Sequence, residues 1–127
     1  MTDTSRFYVL DKARRPVPVD ERTWREWFIV AGDRRRVGDT IIRNVRIRTV
    51  FTGLMLLPTD GPPLLFETMV FGGPLTGARA RYATWDEAAA GHKEMCKQVS
   101  QRVGAKRTKE GEQRTSVERE WTGRHWK

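Results

Sequence analysis

The sequence predicts an α+β domain: an antiparallel sheet of about four to five strands, a short helix after an N-terminal hairpin, and a long C-terminal helix packed on one face. Two observations carry this reading. The runs "RFYVL", "VRIRTVFTGL" and "LLFETMVF" are strand-like in period or apolarity. Two other segments place apolar residues at i, i+3 and i+4, each behind a residue suited to cap a helix.

Taken in order, "RFYVL" is followed by the polar stretch Asp11 to Arg15 and a return through "VPV" at 17–19. Pro16 and Pro18 cannot donate to a ladder, so the return is an edge strand. Asp20 is a good N-cap for a helix in which Trp24, Trp27 and Phe28 share one face, and Gly32 ends it. That face should lie on a sheet. From Arg34 to Leu54 two strands turn at Arg43 and Asn44. In the second, Val45, Ile47, Thr49 and Phe51 point one way while Arg46 and Arg48 point the other. "LPTDGPP" breaks the chain, and "LLFETMVF" at 64–71, nearly apolar on both faces, belongs in the middle of the sheet.

Thr84 and Glu87 form a capping box for a helix from Trp85 to about Val103. Its apolar stripe runs through Trp85, Ala88, Ala89, His92, Met95, Cys96, Val99 and Val103. After Gly104 the chain becomes polar, with seven Lys or Arg against four Glu. Residues 1–104 are therefore read as one domain and 105–127 as a basic, flexible arm available to order on a partner.

The totals agree. A chain of 127 residues holds one domain, and 38% hydrophobic with 31% charged residues is lean but not at the disordered extreme. One cysteine excludes an internal disulfide and suits a reducing compartment. Neither a signal-peptide core nor about 20 consecutive apolar residues occurs, so the expected location is the cytoplasm, with no membrane partner. The net charge of +8 favours polyanions.

Chemistry is sparse. His92 and Cys96, four residues apart on a helix, would put two metal ligands on one side, but a site needs three or four and the other histidine is His125 in the arm. No metal or other cofactor is expected. A Cys-His pair oriented by Glu67 requires that Glu67 face the helix. "GGPLTG" at 72–77 has the composition of a phosphate cradle, but no helix begins directly behind it, so a wide turn leaving a strand is the better reading. No catalytic residue is assigned.

The segments "TVFTGL" (49–54), "PPLLFETMVFGGPL" (62–75) and "YATWDEAAAGHKEM" (82–95), preceded by "YVLD" and "PVPVD", together resemble a family of short uncharacterised proteins encoded by bacteriophages and prophages. The resemblance covers residues 6–99. It implies a phage or prophage origin, hence a host bacterial cytoplasm, and a common fold; it brings no activity and no catalytic residue. The chain departs from the family pattern in the arginine-rich 34–48 stretch and in the arm.

Those two departures are the candidate binding surfaces. Arg34, Arg35, Arg36, Arg43, Arg46 and Arg48 fall within fifteen residues, with Asp33 and Asp39 in partial compensation. In the arm, Lys106, Arg107 and Arg124 accompany Trp121 and Trp126, a mixture suited to stacking on unpaired bases or docking in a protein groove. The reading is a non-enzymatic phage accessory protein that binds a macromolecule, nucleic acid favoured over a host or phage protein. The alternatives are a counter-defence protein binding a host complex, and a small enzyme using Glu67, His92 and Cys96.

Overall fold

The computed structural model describes residues 6–56 and 60–104. Strands β1 (Phe7–Leu10) and β2 (Pro16–Val19) form a hairpin, followed by helix α1 (Glu21–Ala31) and a 3-10 turn at Gly32–Arg35. Strands β3 (Arg36–Ile42), β4 (Val45–Phe51), β5 (Phe66–Phe71) and β6 (Arg79–Tyr82) then make an antiparallel sheet in chain order, and helix α2 (Trp85–Val103) closes the domain. No helix among the described residues is long and apolar enough to cross a membrane.

Local chemistry accounts for these boundaries. The Asp20 carboxylate accepts from the Thr23 amide at 2.8 Å and starts α1, and Gly32 at φ 54° stops it. Arg43 and Asn44, both at positive φ, make the two-residue turn that sets Ile42 opposite Val45. At α2 the Thr84 hydroxyl accepts from the Glu87 amide at 3.0 Å, while Glu87 reaches back to accept from the Ala83 amide at 3.2 Å.

Two points refine the expected sheet. The N-terminal hairpin forms its own two-stranded sheet, attached beyond the end of β4 by the bridge Phe7↔Leu54 and by the Tyr8 amide donating to the Gly53 carbonyl at 2.8 Å. β6 is an additional strand that fills the stretch between "GGPLTG" and α2. The "GGPLTG" stretch is the β5–β6 turn, with Gly72, Gly73 and Gly77 at positive φ, so the wide-turn reading holds.

The core lies between the sheet and α2. Ile42, Val45, Ile47, Val70, Met95 and Val99 form one buried cluster; Phe51, Leu65, Phe66 and Ala88 form another, with Trp27, Tyr82 and Trp85 packed against it. α1 lays its aromatic face on the hairpin and on Phe51: Trp24 stacks with Phe7 at 5.4 Å and Trp27 meets Phe51 edge-on at 5.7 Å.

His92 sits within this core layer. Its Nδ1 is 2.7 Å from the Thr49 hydroxyl and its Nε2 is 3.0 Å from that of Thr40. The Thr68 hydroxyl continues the chain through Thr49. The ring lies directly over Gly38, where a Cβ would come within 2.6 Å of it. This is a hydrogen-bonded core histidine. Burial pushes its pKa below the ordinary value, against a smaller opposite pull from Asp39. A histidine depressed in the folded state contributes stability that is fully present above its unfolded pKa and is lost as pH falls from there through the lowered folded value. Melting temperature should therefore decline as pH drops below about 6.5, before carboxylates titrate, and His92→Gln should flatten that decline. An unchanged profile in the variant would show that the ring is not held neutral.

Candidate functional site

The six arginines of the 34–48 stretch do not share one surface. Arg35 turns inward, its guanidinium 3.9 Å over the Phe28 ring and donating to the Phe51 carbonyl at 3.2 Å. Arg43 donates to the Val103 carbonyl at 2.8 Å, at the C-terminal end of α2, where a cation complements the helix dipole. Arg46 is 4% exposed and grips Asp39 with two hydrogen bonds, Nε to Oδ1 at 2.8 Å and Nη2 to Oδ2. Arg46 and Arg48 stand on the face of the sheet opposite α2, paired in register with Phe71 and Met69 of β5. Burial pushes Arg48 below the ordinary arginine value; Asp39 opposes this, while Arg46 and Arg36 add to it.

Arg34 goes elsewhere, and Arg36, although close enough to Arg48 to depress it, reaches the same place. With Lys12, Arg14, Trp27 and Trp85 they line a cleft of about 350 Å³ between the hairpin turn, the end of α1 and the start of α2. The core sets both indoles: Trp27 is perpendicular to Phe51, and Trp85 meets Phe66 at 6.2 Å and 89°. The Arg14 guanidinium lies over the Trp85 ring, 4.4 Å from its centroid. A second concavity of about 440 Å³ shares Arg14 and Trp85 and adds Arg15.

The two carboxylates in the cleft wall are already engaged. Asp11 accepts from the Ala13 and Arg15 amides at 2.8 and 2.9 Å, and chiefly the Arg15 amide holds it below the usual carboxylate range. Asp33 pairs with Arg36. Lys12 and Arg34 have no partner among the described residues. The cleft is thus a basic concavity with aromatic walls, and its acids are occupied with the protein's own donors.

The enzyme constellation does not assemble. Glu67 pairs in register with Val50 and Arg81, on the face away from α2, while its neighbour Thr68 lies on His92's side. Its carboxylate sits 3.6 Å from Arg81 and 3.7 Å from Arg79. Glu67 therefore cannot orient His92, and Cys96 packs against the Ile47 cluster on the helix side. Among the described residues no group of three His, Cys, Asp or Glu is placed to hold a metal. The proposed arm residues Lys106, Arg107, Trp121, Arg124 and Trp126 lie outside the described residues.

Sequence reasoning missed Lys12, Arg14, Trp27 and Trp85 as site residues. Each reads locally as something else: a hairpin turn for the cations and core aromatics for the indoles. Comparison of the chain with family models, with curated proteins and with solved structures gives no match.

Proposed function

We propose that this chain is a non-enzymatic binding module for nucleic acid, an accessory protein of the phage type its sequence resembles. The observation that supports it best is the positive charge of Lys12 and Arg34, without a partner among the described residues, at a cleft whose acids are internally engaged. A polyanion gains from such a surface by releasing its condensed counterions. The cations and aromatics of the cleft face phosphates and base planes rather than base edges, so phosphates should dominate affinity. Binding should fall steeply with salt, and Lys12→Gln with Arg34→Gln should reduce the log-log salt slope by about 1 per cation removed. Oligonucleotide titrations from low to physiological salt measure this. If neither single strands nor duplex bind at low salt, the proposal fails.

A second reading, a counter-defence protein that binds a host complex, draws on a separate observation. Ile29 and Val30 on α1 are 78% and 74% exposed, an apolar pair of the kind that seats against another protein. Capture from infected cells that survives nuclease treatment would favour this reading.

A further inference from the structure

The aromatic walls of the cleft go beyond generic phosphate attraction. We infer that the Trp27–Trp85 cleft takes one unstacked nucleotide of a single strand, its base against an indole and its phosphates on Lys12 and Arg34. This rests on the nucleic-acid reading above and assigns that reading a site and a strandedness.

The geometry supports each part. The Trp27 and Trp85 rings are locked by perpendicular contacts with Phe51 and Phe66, so a ligand meets preformed surfaces. Arg14, itself part of the cleft lining, lies over the Trp85 ring, so a base that stacks on that indole takes the place of its guanidinium, while one that stacks on Trp27 does not have to. Bases stack on such faces with little regard to sequence. A volume of about 350 Å³ lies at the lower end of small-ligand sites, enough for a nucleotide but not for a duplex with its bases still paired. The second concavity shares Arg14 and Trp85 with the cleft and is lined as well by Arg15, which pairs with Asp11, and by the Asp86 carboxylate, so the cations for the bound phosphates are those of the cleft itself.

The test uses the full chain and a thymidine oligonucleotide carrying 5-iodouracil, bound at low salt, irradiated, digested and mapped by mass spectrometry. The expected crosslinks fall on Trp85 or Trp27, single strands bind at least about tenfold more tightly than duplex, and Lys12→Gln with Arg34→Gln lowers single-strand affinity about tenfold. If the strand binds but crosslinks only elsewhere, or not at all, the cleft assignment is wrong while the general nucleic-acid reading stands. Equal affinity for duplex overturns the strandedness. If no oligonucleotide binds, the nucleic-acid reading falls and this inference with it.

Discussion

Gly53→Ala should be among the most destabilising single-atom additions to this domain, costing about 2–5 kcal/mol. Gly53 sits at φ 67°, where a side chain is strained by about 1–2 kcal/mol. A Cβ there would also lie 2.4 Å from the Tyr8 carbonyl oxygen and 2.7 Å from the Trp24 indole nitrogen. The first of these is backbone and cannot swing aside, so relief means lifting the hairpin from the end of β4. Overpacking of this kind adds about 1–3 kcal/mol. Each kcal/mol corresponds to about 4–8 °C in a domain of this size, so thermal unfolding monitored by circular dichroism is sufficient. Gly61→Ala is the control, since its added Cβ meets nothing within 4 Å. A parental melting temperature for Gly53→Ala would mean that the hairpin does not seat as described.

Phe66→Ala should cost about 3–5 kcal/mol. Phe66 is fully buried and links the aromatic row, packing at a tilt of 58° against Phe51 at 5.0 Å and meeting Trp85 at 6.2 Å. Its loss leaves a cavity between the sheet and the start of α2, and it frees Trp85 from the neighbour that orients it. The variant should therefore show a lower denaturant midpoint and, in its folded fraction, a weakened near-ultraviolet signal from tryptophan. A midpoint shift of less than about 1 kcal/mol would show that the site collapses onto the gap.

Element by element, most of this architecture was legible. Asp20 and Thr84 announced their helices because a cap is a local transaction between residues three apart. The β3–β4 hairpin followed from alternation and a turn at Arg43 and Asn44. β6 was not seen, because "RARY" pairs arginines with a single alanine and a tyrosine, and only its partner β5 makes that alternation a strand. The candidate site was less legible still. The arginine-rich stretch reads as a place where several arginines share a face, and two of them, Arg46 and Arg48, do stand on one face of the sheet. A period-two strand and a 3-10 turn instead set a half-buried Arg35 over Phe28, Arg43 at the end of α2, Arg46 on Asp39, Arg34 in the cleft, and Arg36 between the cleft and Arg48. The cleft gathers residues from the hairpin turn, α1, the 3-10 turn and α2, a meeting that only tertiary packing creates.

The outermost strands of the sheet carry a further consequence. An open β edge is a template on which another copy of the same chain can add, the usual first step toward fibrous self-association. β6 offers only four residues, and its outward side chains are Arg79 and Arg81, so a like chain approaching it meets like charge. β3 has a register shift between Arg36 and Gly38, which interrupts the regular spacing a new strand would need. Both borders of the four-stranded sheet thus resist growth by copying, so copies of the chain can be crowded together without this sheet fusing to another.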